Sequence, residues 1–194
     1  RGAKLISCDF TDSVVKDLIL DSTIVDEKTS FGKTLKSEKD GNYHFASIEY
    51  KQIKEMYKNS SLHQVADHYH YKEMVAKRKI APKYNTMRIL NYIFGDLLCK
   101  YGTSFINVVL WSIFIILLCA LLFTTEQSLL FQNTPGTHSF MDSLYFSIVT
   151  FTTLGYGDYH AIGWLRFLAA IESFIGAALM ALFTVIVARN IIRD

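Results

Sequence analysis

Apolar positions fall into two regimes along this chain. No charged residue occurs between 101 and 125, and a second apolar stretch runs over 163–188, interrupted by Arg166 and Glu172. At about 1.5 Å per residue, either stretch as a helix crosses the roughly 30 Å hydrocarbon core of a bilayer. A polar loop over 126–137, with Pro135-Gly136 as a turn, separates them. Then comes Ser139-Phe140-Met141-Asp142, a capping-box spacing that starts a short helix running to about Thr152. That helix is too short to span. It enters and returns, which is tolerated only where protein or water satisfies its ends.

The first hundred residues carry most of the charge. Residues 43–80 read as two helices. Phe45, Ile48, Ile53, Met56 and Tyr57 make one stripe, Asn59-Ser60-Ser61 breaks it, and Leu62, Val65, Ala66, Tyr69 and Met74 make the second. Residues 33–42 are polar and read as a linker. Residues 85–101 carry Met87, Leu90, Ile93, Phe94, Leu97, Leu98 and Tyr101 at helical spacing, with Arg88 and Asp96 interspersed. This is the pattern of an amphipathic helix on a membrane surface. Within residues 1–30 the period is five. Leu5, Phe10, Val15, Leu20 and Val25 recur at that stride, two places after Ala3, Cys8, Ser13, Leu18 and Thr23. An irregular apolar segment or a hairpin fits the same positions.

Charge placement orients the spans. Lys77, Arg78, Lys79, Lys83, Arg88 and Lys100 precede the first, Arg189 and Arg193 follow the second, and 126–139 has neither Lys nor Arg. By the positive-inside rule both termini are cytoplasmic in a multi-pass protein of the cell membrane. Beside a span, the basic run at 77–79 reads as a lipid contact rather than a nucleic-acid one. The net charge of +2 over 194 residues adds little. Cys8, Cys99 and Cys119 are scattered and give neither a disulfide framework nor metal-ligand spacing. His63 and the pair His68 and His70 are poorly spaced for a metal on a helix and read as surface or packing residues. No nucleophile–base pair and no phosphate-binding loop appears, so the chain does not read as an enzyme. The chain begins at Arg1 and reads as a fragment.

Between the two spans stands Thr153-Leu154-Gly155-Tyr156-Gly157, followed by Asp158. This pentapeptide resembles the signature loop of potassium channels. With the flanking spans, the resemblance is to two-transmembrane prokaryotic potassium channels over 101–193. It implies an all-α membrane protein: two transmembrane helices with a re-entrant pore helix and filter, assembled as a homotetramer. In that family the filter carbonyls replace the hydration shell of the ion. Carried over, K+ sits at Thr153, Leu154, Gly155 and Tyr156, Gly157 completes the filter, and Asp158 stands at its mouth. No cofactor beyond the conducted ions is implied. Gly155 and Gly157 suit the role because they take positive φ without steric cost.

Further readings rest on the same resemblance. Gly176, in the middle of the second span, reads as a hinge, with close helix packing as the competing account of a small residue there. Ala177, Met180, Ala181 and Thr184 form a stripe that lines the inner pore in the resembling channels and reads as cavity and gate. Glu172 either bonds hydroxyl or backbone groups behind the pore helix or faces the cavity. Tyr145 and Phe146 stand where many family members have Trp. Val149 stands where some have a buried Glu, so a carboxyl pair with Asp158 is not available. The period of five resembles bacterial pentapeptide-repeat proteins that end in an ion-channel domain, and about one coil would fall here.

Three domains follow: a pentapeptide-repeat end at 1–32, a cytosolic helical hairpin with an interfacial helix at 43–100, and a two-transmembrane pore at 101–194. The functional expectation is passive, potassium-selective conduction. The alternatives are a weakly selective cation channel and a membrane-anchored solenoid interaction protein. No helix carries Arg at every third place, so steep voltage gating is not expected. A regulator would act through the N-terminal part, through lipid or through a segment outside this sequence, and the residues do not name it.

Overall fold

The computed structural model describes residues 3–11, 13, 15, 23–82, 84–124, 129–131, 134–135 and 139–193. The chain divides into two compact units, Arg1–Thr103 and Ser104–Asp194.

In the first unit, β1 (Lys4–Leu5) pairs in parallel with β2 (Ile24–Val25), with Lys4 beside Ile24 and Leu5 beside Val25. Partners are 24 − 4 = 20 residues apart, four strides of five. The next bridge, Asp9 with Ser30, is 30 − 9 = 21 residues apart, so the stride gains one residue. As a result Phe31 rather than Ser30 packs inward, stacked on Phe10 at 5.1 Å. Leu18 and Leu20 lie outside the described residues, and no closed solenoid is present among the described ones. The helices that follow close over this layer. The Val25 amide donates to Ser60 Oγ at 3.0 Å, and Tyr57 OH donates to the Thr29 carbonyl at 2.5 Å.

The polar stretch 33–42 is more than a linker, because it holds α1 (Lys36–Lys39). Glu38 in that turn accepts from Tyr50 OH at 2.6 Å and from Lys79 at 2.9 Å, which ties the turn to the hairpin behind it. The hairpin is α2 (Tyr43–Asn59) and α3 (His63–Ile80). Asn42 caps α2 by accepting the Phe45 amide at 3.4 Å. Ser61, with φ of 60°, makes the break between the helices. The buried face of α2 is Ala46, Tyr50, Ile53, Met56 and Tyr57, stacked on Tyr69 of α3. Phe45 and Ile48, placed on that stripe by the periodicity, are 39% and 43% exposed. Ala46 and Tyr50 fill the first turns instead, at the spacing that keeps one face toward α3. Glu73 is buried between Lys54 at 2.9 Å and Lys77 at 2.5 Å.

The segment expected as one amphipathic helix is α4 (Thr86–Leu90) continuing into a π-helix (Asn91–Leu97). Lys100, Tyr101 and Gly102 then follow with φ of 47°, 56° and 79°. Three consecutive left-handed residues cannot continue a helix. For that reason the first long apolar helix begins at Phe105 rather than at 101.

In the second unit, α5 (Phe105–Phe123) and α7 (Leu165–Arg193) pack on each other and on α6 (Phe140–Phe151). The helices at Phe105–Phe123 and Leu165–Ile192 are long and apolar enough to cross a membrane. Only 17% and 22% of those stretches are buried within the chain, so most of their apolar surface faces outward, unlike the core helix of a soluble protein. The all-α expectation needs one correction. β3 (Leu129–Phe131) pairs antiparallel with β4 (Thr134–Pro135) and with β5 (Tyr159–Ala161). Leu129 is fully buried beside Phe123, Phe146 and Ala161, and that burial holds the strands on the helices. Pro135, expected in a turn, sits in the edge strand β4, where its missing N–H costs nothing.

Candidate functional site

The twelve residues of α6 measure about 18 Å, well short of a bilayer core. Its start is a complete capping box. Ser139 Oγ accepts the Met141 amide at 3.3 Å, and the Asp142 carboxylate accepts the Ser139 amide at 2.8 Å. Its other end leads straight into the loop. The amides of Thr152, Thr153 and Leu154 donate to the carbonyls of Ile148, Thr150 and Val149, each at 3.0 Å. These bonds take three of the last four carbonyls of the helix and turn the chain back.

Thr153, Gly155 and Gly157 have φ of 59°, 57° and 79°, so every second residue of the loop is left-handed. In an ordinary strand successive carbonyls point to opposite sides. A left-handed residue at alternate places is what allows them to share one side. The sequence marked the two glycines for this but not Thr153, a β-branched residue whose positive φ is strained. Leu154 and Tyr156 are 59% and 68% exposed in the single chain.

The far end of the loop is tied back to α6 twice. Tyr145 OH donates to Asp158 Oδ2 at 2.9 Å, and Tyr159 OH donates to Asp142 Oδ1 at 3.1 Å. The Tyr159 amide also donates to Asp158 Oδ1 at 3.0 Å. Val149 is buried and offers no polar group, so Asp158 is held by a phenol. Sequence reasoning noted Tyr145 only as a departure from Trp. The available signal was a phenol on the helix thirteen residues before an acid, close enough once the loop doubles back.

Behind α6, Ser147 is fully buried, with its Oγ 2.9 Å from the Ile116 carbonyl of α5 and in hydrogen-bond contact with Glu172 Oε1 of α7. One hydroxyl therefore joins three helices. Of the two readings of Glu172, the arrangement has the bonded one. Gly176 lies one turn further along, where α7 crosses the end of α6. A Cβ on it would stand 2.0 Å from the Phe151 carbonyl oxygen and 2.8 Å from its carbon. Close approach alone thus requires glycine there. Ala177, Met180, Ala181 and Thr184 lie together on the exposed side of α7, whereas Leu179 and Ile186, on the other side, are 4% and 2% exposed.

Two long apolar helices thus bracket a short capped helix and a doubly anchored loop. Residues 103–193 match the sequence model of a family described as "Ion channel". No curated protein and no solved structure matches the chain. The ion-channel match runs from just before α5 to the last residue of α7, so it takes in the loop, its anchors and the α7 stripe. It leaves residues 1–102 without a counterpart. The described residues hold no cluster of three potential metal ligands, and His68 packs on Tyr69 while His70 lies 3.8 Å from Glu73.

Proposed function

We propose that the chain forms a potassium-selective channel as a homotetramer, with Thr153, Leu154, Gly155, Tyr156 and Gly157 as its filter. The observation that carries this reading is the left-handed backbone at 153, 155 and 157, directly after a helix end. Four such loops around an axis would present rings of carbonyls to a dehydrated cation. The α6 helix is then the pore helix, and its C-terminal dipole favours a cation ahead of the filter. Asp158 stands at the outer mouth. The exposed stripe Ala177, Met180, Ala181 and Thr184 lines the cavity and inner gate, with both termini in the cytoplasm. Gly176 serves there as a contact with the pore helix in addition to any bending. In the same reading, residues 1–32 are the end of a pentapeptide-repeat layer.

The test is ion flux from liposomes containing the chain, with potassium and sodium gradients compared. Potassium efflux well above sodium efflux is expected, and Gly155→Ala should abolish the difference by opposing positive φ. Equal permeability to the two ions in the unmutated chain overturns the proposal.

A further inference from the structure

The segment leading to α5 contains one acidic residue, Asp96, among the apolar positions of residues 84–104. Its neighbours Met87, Ile93 and Phe94 are 65%, 42% and 63% exposed. Asp96 differs from them, because its side chain is 13% exposed and both its oxygens are taken by α3. Tyr71 OH donates to Oδ1 at 2.8 Å and Arg78 Nη1 to Oδ2 at 2.6 Å. The Arg78 guanidinium also lies over the Tyr92 ring, 4.8 Å from its centre. Burial, then the bond to Asp96, pushes the Tyr71 phenol up to about 12, so it stays a donor throughout the physiological range. A carboxylate with two charge-assisted or phenolic donors in a mostly covered site is a directional contact, unlike a surface ion pair.

The chain around this contact is held away from ordinary helix. Asn91–Leu97 is wound as a π-helix, a form that is uncommon and concentrated at functional sites. The Tyr101 amide reaches back to the Gly95 carbonyl at 2.7 Å, and the Tyr101 ring occupies the space a Cβ on residue 95 would need, 2.5 Å from its position. Lys100 and Tyr101, both non-glycine, are left-handed just before the chain continues into α5. Strain of this kind persists only where surrounding contacts over-determine it. Relaxing a π-turn to α removes one residue from the turn and re-forms the ordinary i to i−4 bonds.

We propose that the contact of Tyr71 and Arg78 with Asp96 is a latch holding the π-wound form of residues 91–97, and that releasing it alters conduction. The N-terminal unit thereby acts on conduction through α3. Anything that displaces α3 withdraws both donors from Asp96, frees the π-turn to shorten and relieves the left-handed residues that follow. The latch is a two-state element of the kind that coupling between distant parts requires. The conduction readout of this inference rests on the potassium-channel reading; the exchange readout does not.

The experiment uses the full chain in liposomes, with Arg78→Ala, Asp96→Asn, Tyr71→Phe and the charge swap Arg78→Asp with Asp96→Arg. Potassium flux per assembled protein and amide hydrogen exchange over residues 91–112 are measured on each. Breaking the latch by any single substitution should change flux by at least about fivefold, the usual scale of site-to-site coupling. It should also speed exchange both at 91–103 and in the first turns of α5. Arg78→Ala combined with Asp96→Asn should add nothing to either alone, and the swap should return flux toward that of the unmutated chain. Faster exchange at 91–103 with unchanged flux makes the contact a structural clamp only and overturns the inference. Independent, multiplying effects of the two single substitutions also overturn it. If the unmutated chain passes no potassium, the channel reading fails and exchange alone decides the coupling. Unchanged protection at 105–112 in Asp96→Asn then overturns it, and faster exchange there upholds it.

Discussion

Replacing Gly176 by Ala separates two accounts of the same residue by sign. A mid-span glycine that serves only for bending weakens its helix by about 1 kcal/mol relative to Ala, so Gly176→Ala should stiffen α7 and stabilise it. The structure opposes this. The new methyl would stand 2.0 Å from the Phe151 carbonyl oxygen, 2.8 Å from its carbon and 3.1 Å from its Cα. Real contacts of this kind stay beyond 3.0 Å, so at least 3.0 − 2.0 = 1.0 Å of movement is required, and the obstacle is backbone rather than a yielding side chain. Overpacking of that size costs about 1–3 kcal/mol. After the propensity gain, a net loss of up to about 2 kcal/mol per chain remains. The displaced group is the last carbonyl of α6, two residues before the loop, so conduction should fall together with stability. The assay is thermal unfolding of the assembled protein in detergent alongside potassium flux, with Ala177→Gly as a neighbour that loses propensity without touching α6. A Gly176→Ala protein that melts higher than the unmutated one would refute the packing argument and restore a pure hinge.

Tyr145→Phe removes the phenol that holds Asp158, and conduction should become shorter-lived while assembly is unchanged; single-channel recordings with the same open lifetime as the unmutated protein would count against the anchor. Ser147→Ala leaves the buried Glu172 without its hydroxyl partner and should cost about 1–3 kcal/mol in thermal stability, a loss that Glu172→Gln should largely avoid because the amide can still bond Ser147. A water-soluble thiol reagent added from the inner side should modify Ala181→Cys and spare Leu179→Cys, since Leu179 is 4% exposed; the opposite pattern puts the pore on the wrong face of α7. Glu73 is raised by burial but lowered more by its bonds from Lys77 and Lys54, so its carboxyl titrates below the ordinary 4.5. A depressed folded value stabilises above the unfolded one, so the contribution is complete above pH 4.5 and is lost as pH falls through the folded value. Glu73→Gln should therefore lower hairpin stability at neutral pH and flatten its acid dependence, read by circular dichroism melts; an unchanged acid slope would show that Glu73 is not the titrating group.

Much of the architecture was legible because it rests on local pattern. Two charge-poor stretches long enough for a bilayer, a capping box at Ser139 and a break at Asn59-Ser60-Ser61 each depend on a few adjacent residues, and the helices start and stop near them. The loop at 153–157 was equally plain, because glycine at alternate places is a backbone requirement written directly in residue type. What sequence could not decide was which groups distant parts of the chain bring together. That Gly176 meets a carbonyl, that Ser147 joins Glu172 to α5, that Tyr145 holds Asp158, and that Asp96 is received by Tyr71 and Arg78 all depend on helices crossing at particular heights. The small sheet at 129–161 and the π-winding at 91–97 belong to the same class, since neither has a local signature and both are held by contacts with residues far along the chain. Hydrophobic period reports which face of an element is apolar. It does not report what that face meets, and in this protein the distinction between a hinge and a contact, or between a cavity acid and a tie, lies in what is met.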